Sequence, residues 1–169
     1  MPGKVFIGQG SKIQNKLKEL TLPPYSYRIN EVDGKQLIFD PIRRKYVRLT
    51  PEEWVRQHFI NYLVRYGNYP SGLIGVEVPF KLNKLSKRID LLVHNRKGDP
   101  LMIIECKEPD TKLDDKVFDQ IMVYNLQYHV PYLIITNGIQ NFAYRMNFDE
   151  RTRTPLELIP QYDELISEE

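Results

Sequence analysis

The 169-residue chain has a single cysteine, Cys106, so neither an intrachain disulfide nor a multi-cysteine zinc site can form within it. Its three histidines, His58, His94 and His129, lie far apart and share no metal-ligand spacing. No run approaches the ~20 consecutive apolar residues that a membrane span needs. The opening MPGKVFIGQGSKIQNK lacks the apolar stretch of a secretory signal, so a cytoplasmic protein without membrane contact is expected. A G-x-x-x-x-G-K-[ST] loop is absent, which excludes a P-loop ATPase motor within these residues. Internal repeats and low-complexity tracts are absent too. With 41% hydrophobic and 27% charged residues, the composition excludes a disordered chain and suits one globular domain.

The charge is small in sum, +2, but uneven along the chain. Residues 1–50 hold ten Lys/Arg against four Asp/Glu, whereas residues 149–169 hold two against seven. Two basic clusters stand out, Arg43-Arg44-Lys45 with Arg48, and Lys81, Lys84, Lys87 and Arg88. Such clusters suit a phosphate backbone. They equally suit a solvated face, and they gain meaning only if they surround a site.

Periodicity divides the chain. Ile13, Leu17 and Leu20 suggest a short helix or an arm that ends at Pro23-Pro24. Asp33-Gly34 predicts a hairpin joining Tyr25–Asn30 to Gln36–Phe39. Thr50 as N-cap, Pro51 at the first helical position and Glu53 completing a capping box predict a helix that closes at Gly67. Three strands follow, Leu73–Phe80, Lys87–His94 and Pro100–Lys107, with turns short enough for an antiparallel meander. A second helix is expected over Asp114–Tyr128, a buried strand over Tyr132–Ile135, and a further strand over Phe142–Met146. A short apolar run at Leu156, Leu158 and Ile159 precedes an acidic terminus expected to fray. The fold class is α/β, in the order αβββαβ, with a mixed sheet flanked by helices.

The third strand carries the chemistry. Side chains alternate with period two, so Glu105 and Lys107 share a face, their Cα atoms about 6.5–7 Å apart, while Cys106 faces the core. On the strand before, Ile89, Leu91 and Val93 define one face and Asp90 lies on the other. If Asp90 pairs near Glu105, two carboxylates and one ammonium converge. Such carboxylates repel unless a cation lies between them. A hard cation such as Mg²⁺ or Mn²⁺ fits, and the set suits phosphodiester hydrolysis. The bare pattern Asp/Glu-x-Lys is weak, since about two matches are expected by chance. Of the four present, Glu105…Lys107 is the one that ends an apolar strand with an acid on the strand before it.

These residues resemble the PD-(D/E)XK nuclease superfamily, and within it the N-terminal nuclease domain of type I restriction enzyme R subunits. The resemblance runs from about Asp40 to Tyr144 and rests on Thr50-Pro51-Glu52-Glu53-Trp54-Val55-Arg56, Arg88-Ile89-Asp90, Glu105-Cys106-Lys107, Gln120-x-x-x-Tyr124 and Thr136-Asn137-Gly138. It departs from the namesake motif at Ile89, where that motif has proline. It implies a restriction-endonuclease-like core and metal-dependent DNA cleavage leaving a 5′-phosphate. Asp90 and Glu105 would be metal ligands with the Cys106 carbonyl, and Lys107 the catalytic lysine. Gln120 would lie beside the site, Glu53 would approach the metal, and Tyr124 would contact DNA or the site. Arg43, Arg44, Lys45, Lys84, Lys87 and Arg88 would hold the DNA backbone. Other restriction or repair subunits, or a second copy of this chain, are the partners implied. Residues 1–40 then form an arm and hairpin packed on the core, 41–148 the nuclease-like domain, and 149–169 an acidic extension.

Each residue has a structural alternative. Asp90 could pair with Arg88 or Lys87, Glu105 with Lys107 as a surface bridge, and Glu53 could serve its cap alone. Glu77 could face the site from its strand, Gln120 could be an ordinary polar helix residue, and Tyr124 could be core. A rival function is a non-catalytic nucleic-acid or protein-interaction module on a nuclease fold. If Asp90 and Glu105 crowd one another without metal, Asp90→Asn should leave the metal-free protein at least as stable.

Overall fold

The structure is a computed structural model that describes residues 6–8, 17–82 and 84–167. Helix α1 spans Pro51–Tyr66. Thr50 caps it from extended backbone, its hydroxyl accepting the Glu53 amide at 3.0 Å, and Pro51 sits where a missing amide costs nothing. The expected reciprocal half of the capping box is not made. The Glu53 carboxylate turns instead to Arg43, Arg56 and Gln57, because charged donors outcompete a backbone amide.

Six strands form the central sheet, in the order β10-β9-β8-β7-β6-β5. They are β5 (Ile74–Leu82), β6 (Leu85–His94), β7 (Pro100–Cys106), β8 (Tyr132–Thr136), β9 (Asn141–Asn147) and β10 (Thr152–Leu156). The short turns after β5 and β6 give the antiparallel meander that the spacing predicts. β8 pairs parallel to β7, as a crossover through helix α2 (Asp115–Tyr128) permits. Because strand residues alternate, β7 and β8 bury both faces. Met102, Ile104, Cys106 and Ile134 pack with Val55, Phe59 and Leu63 of α1. Ile103, Leu133 and Ile135 pack with Val117, Phe118 and Ile121 of α2. Each such side chain contributes about 1.5–3 kcal/mol by leaving water. The sheet is therefore a middle layer between two helices.

A second sheet, β1 (Phe6–Gly8), β2 (Tyr27–Val32), β3 (Lys35–Asp40) and β4 (Lys45–Arg48), is an antiparallel meander. Asp33 and Gly34 turn its central hairpin with φ of 51° and 72°, as the Asp-Gly pair predicts. It rests on α1 through Ile29, Ile38 and Trp54. This sheet continues to Arg48, so a boundary at residue 40 cuts through the β3–β4 pairing. The helix expected around Ile13 falls on residues 9–16, outside the described residues, and residues 17–20 are not helical. The acidic extension is docked through residue 167 rather than frayed. β10 adds to the sheet, and α3 (Tyr162–Ile166) buries Tyr162 and Leu165 in the α1-side core. Among the described residues no helix is long and apolar enough to cross a membrane.

Candidate active site

The C-terminal end of β7 is held from β8. The Lys107 amide donates to the Thr136 carbonyl at 2.8 Å, which carries the pairing one residue past Cys106. Asn137 then fastens the loop after β7, donating Nδ2 to the Thr111 carbonyl at 2.9 Å. Its Oδ1 accepts the amides of Ile139 and Gln140, closing the turn. Gly138 has φ +79°, and a Cβ there would lie 2.8 Å from Leu20, so no larger residue fits without a shift. Thr136-Asn137-Gly138 thus positions Lys107 without touching the chemistry.

Alternation brings Glu105 and Lys107 together as expected. Lys107 Nζ donates to Glu105 Oε1 at 2.8 Å. Gln120, one turn inside α2, donates Nε2 to the same oxygen at 2.7 Å, and its Oε1 accepts Lys107 Nζ at 3.2 Å. Nε2 also reaches the Tyr124 hydroxyl at 2.9 Å, which the i, i+4 helical spacing allows. The Tyr124 ring is core, edge-on to Phe80 with centroids 5.0 Å apart. Of the readings open to Tyr124, the ring takes the core one, and the hydroxyl touches the site through Gln120.

Asp90 sits where the sheet breaks. The β6–β7 ladder ends at Leu91↔Ile104, and the Cys106 amide beyond it donates to Asp90 Oδ2 at 2.7 Å. On the other side the β5–β6 register passes from Val76↔Leu91 to Val78↔Ile89, leaving Glu77, at φ +50°, without a ladder partner. Val76 and Leu91 pack on the α1 side, whereas Val78, Phe80 and Ile89 pack on the α2 side. The hairpin thus bends over α2 at Asp90. This corrects the simple alternation expected for β6, in which Ile89 shares a face with Leu91.

The partner of Asp90 is Arg56 of α1, not Arg88 or Lys87. Arg56 Nη2 donates to Asp90 Oδ1 and to Glu52 Oε1, each at 2.8 Å, and Nη1 donates to Glu53. Arg88 pairs instead with Glu77 at 3.2 Å. In the sequence Arg56 carries no mark of a site residue beyond its place in the Thr50–Arg56 stretch. The available signal was its i+3 and i+4 spacing from Glu53 and Glu52, which predicts ion pairs along the helix.

Glu53 lies in a buried ionic network and shares the Arg56 guanidinium with Asp90. Its Oε1 accepts Arg43 Nη2 at 2.7 Å and Gln57 Nε2 at 2.8 Å, and its Oε2 accepts Arg56. Arg43 also donates Nε to the fully buried Asp40 at 2.5 Å. Two carboxylates thus engage the Arg43 guanidinium, which sets it apart from its neighbours in the basic cluster expected to hold DNA. Arg44, Lys45, Lys84, Lys87 and Arg88 are exposed. Glu77, within 3.6 Å of Arg43 and Arg56, ties both basic segments to the rim of the site.

Burial sets the protonation pattern. Glu105 is pushed up to about 7 by burial and by the neighbouring Asp90 charge, against the pull of Lys107. Asp90 is raised by burial, which outweighs Arg56 and the Cys106 amide. Burial works against the Lys107 ammonium, but Glu105 more than offsets it, so Lys107 stays charged. Burial likewise opposes the Arg56 charge, and the carboxylates around it, Asp90 foremost, outweigh that. Burial pushes the Cys106 thiol up, which leaves it inert as a nucleophile.

The donor chemistry fits a hard divalent cation. The Asp90 charge raises its neighbour Glu105, a repulsion that a cation between the two would relieve, and Mg²⁺ typically takes one or two carboxylates plus water and phosphate oxygens. Among the described residues no group of three or more His, Cys, Asp or Glu side chains forms a fuller cage.

Residues 51–160 match the family model of the type I restriction enzyme R protein N terminus. A solved structure described as a fragment of an HsdR subunit of a type I restriction enzyme, from Vibrio vulnificus YJ016, is similar in fold, with a TM-score of 0.54 at 19% identity. The similarity covers 70% of this chain and 25% of that one, so the chain spans about a quarter of its length. No curated protein matches the chain in sequence.

Proposed function

Because this chain belongs to the family of type I restriction enzyme R protein N-terminal domains, we propose that it is a metal-dependent DNA endonuclease module of the PD-(D/E)XK kind. The observation that carries this reading is the meeting of Lys107 Nζ and Gln120 Nε2 on one oxygen of Glu105, with Asp90 next to it. Asp90 and Glu105 would hold Mg²⁺ or Mn²⁺, which when bound acidifies water and polarises a phosphoryl oxygen. Lys107, as an ammonium, would orient the attacking water and offset charge that develops on the phosphate. Gln120 would fix Lys107 and Glu105 relative to one another. Water adds at phosphorus as the P–O3′ bond breaks, leaving a 3′-hydroxyl and a 5′-phosphate.

Arg44, Lys45, Lys84, Lys87 and Arg88 are exposed on two segments flanking the site and would grip the DNA backbone. The other subunits of a restriction complex, in the cytoplasm, are the partners proposed. A motor, if there is one, must come from outside these residues.

The test is nicking of supercoiled plasmid with Mg²⁺ or Mn²⁺. The wild type should cut and Lys107→Ala should not. Cleavage that survives Lys107→Ala overturns the assignment. One observation favours a second reading, a binding module on the same fold. Every carboxylate oxygen of Asp90, and Oε1 of Glu105, already has a donor from the chain itself. Tight DNA binding with no cleavage of any DNA form would select that reading.

A further inference from the structure

Arg56 is 97% hidden from solvent, with a side-chain exposure of 3%, yet its charge serves more carboxylates than one. Nη2 divides itself between Asp90 Oδ1 and Glu52 Oε1 at equal distances of 2.8 Å. Nη1 holds Glu53 and lies 3.6 Å from Glu77. Nε is buried and finds no hydrogen-bond partner among the described residues. The guanidinium is therefore seated by carboxylate charge and not by a complete set of complementary acceptors. Removing Asp90 from its reach leaves it with Glu52 and Glu53, so letting go of Asp90 does not strand a buried charge.

We propose that Arg56 is the resident counter-cation of the metal-free site, a positioning residue that holds Asp90 Oδ1 until a divalent cation replaces it there. The inference rests on the reading of Asp90 and Glu105 as the cation-binding pair. Without metal, two buried carboxylates side by side would repel, and Arg56 relieves this from the α1 side while Lys107 does so from the α2 side. When a divalent cation enters between Asp90 and Glu105, its charge opposes the guanidinium. Arg56 then keeps Glu52 and Glu53 and gives up Asp90 Oδ1. In this arrangement Arg56 lowers the affinity of the site for metal and raises the stability of the metal-free protein. The Asp90 carboxylate is kept oriented by its second oxygen, which the Cys106 amide holds throughout.

The experiment uses the whole 169-residue chain and Mn²⁺ alone, with calorimetric titration and the Mn²⁺-induced rise in thermal midpoint as readouts. Neutral Arg56→Gln should bind Mn²⁺ at least about tenfold more tightly, because a unit charge near the ion has gone. Its metal-free midpoint should fall, and its Mn²⁺-induced rise should exceed that of the wild type. Arg56→Lys keeps the charge and should stay within about threefold of the wild type. A purely structural arginine predicts the opposite for Arg56→Gln, weaker Mn²⁺ binding as the carboxylates scatter, and that result overturns the proposal. Tightening in Arg56→Lys equal to that in Arg56→Gln also overturns it, since charge would not be the cause.

If Arg56→Gln does not fold, Glu52→Gln takes its place. Deprived of Glu52, Nη2 belongs to Asp90 alone, and Mn²⁺ binding should weaken. The weakening should vanish when Glu52→Gln is combined with neutral Arg56→Gln, which removes the buried cation together with the acid that shares it. Its persistence there would mean that Glu52 acts on the ion directly, and overturns the proposal. Wild-type binding that Asp90→Asn abolishes but Arg56→Gln leaves unchanged defeats this inference alone. A wild type that does not bind Mn²⁺ defeats the cation-site reading together with it.

Discussion

Gln120 and Glu105, 15 residues apart in the chain, are joined by a 2.7 Å hydrogen bond from Nε2 to Oε1. The bond crosses from α2 to β7 and ends on the oxygen that also accepts Lys107. Gln120 supplies both a donor and an acceptor here, which fixes its amide orientation: Nε2 toward Glu105 and Tyr124, Oε1 toward Lys107. Gln120→Ala should lower plasmid nicking by about 10- to 100-fold by loosening both charged groups, since small misplacement of positioned groups carries that scale of loss. Gln120 is half-buried at the end of the cluster, so the thermal midpoint should fall by only about 1 kcal/mol equivalent. A midpoint loss several times larger, with the specific activity of the folded fraction unchanged, would make Gln120 a packing residue.

The geometry sets an opposing contribution against the expectation that Asp90→Asn leaves the metal-free protein at least as stable. Asp90 is an ion-pair partner of buried Arg56 as well as a neighbour of Glu105. Relief of the Glu105 repulsion and loss of the Arg56 pair act in opposite directions. Arg56 retains Glu52 and Glu53, and an asparagine oxygen can still accept the Cys106 amide. Burial of the Asp90 charge outweighs what Arg56 and the Cys106 amide return, so the net change in chemical denaturation without metal should stay within about 1 kcal/mol. Stabilisation by added Mn²⁺ should disappear.

The protonation of Glu105 predicts how stability responds to pH. Its folded-state pKa is raised from 4.5 to about 7, so between those values the native state binds more protons than the unfolded chain. Stability therefore falls as pH rises through this window, and the cost of the buried charge is complete above it. Asp90, raised also, contributes with the same sign. Glu105→Gln cannot ionise. In EDTA its stability relative to the wild type should improve by up to about 3 kcal/mol between pH 4.5 and 8. With Mn²⁺ the slope of the wild type should diminish, because the ionised pair is the form that holds the cation. A pH-independent difference between the two proteins would show that Glu105 ionises normally.

Local rules made the core legible. The Thr50-Pro51 start of α1, the meander of β5 to β7, and the period-two placement of Glu105, Lys107 and Cys106 all follow from short-range geometry. The family motifs point to Gln120, whose contacts with Glu105 and Lys107 cross to the end of another element and do not follow from helical spacing. Long-range competition was not legible. Whether Glu53 would cap its own helix or join Arg43, Arg56 and Gln57 depends on where the β3–β4 turn brings Arg43. The same is true of Arg56, which reaches Asp90 across 34 residues. The bend at Glu77 and Asp90 was hidden because strands rich in β-branched residues read as regular, and no glycine marks the positive φ at Glu77. β4 and β10 are illegible for another reason: short, largely exposed strands of sequence KYVR and TRTPL give no apolar alternation.

Arg43 and Arg44 adjoin in sequence and have opposite environments, which separates structural from phosphate-binding charge. Arg43 clamps buried Asp40 and Glu53, and so ties the four-stranded sheet to α1. Arg43→Ala takes the cation from buried Asp40 and leaves Glu53 with Arg56, and should destabilise by about 3 kcal/mol in denaturant unfolding, the scale for breaking a buried pair from one side. Arg44 and Lys45 are exposed at the β3–β4 turn. Replacing both with alanine should change stability by less than about 0.5 kcal/mol. If each meets a phosphate, the double variant should lower the slope of log K for duplex DNA against log salt by about 2. The measurement is fluorescence anisotropy of a labelled duplex over a series of salt concentrations, beside an unfolding curve for each variant. An Arg43→Ala protein that keeps its stability but loses salt slope would place Arg43 on the DNA surface after all. An unchanged slope in the double variant would move the DNA path away from this turn, toward Lys84, Lys87 and Arg88 on the β5–β6 hairpin.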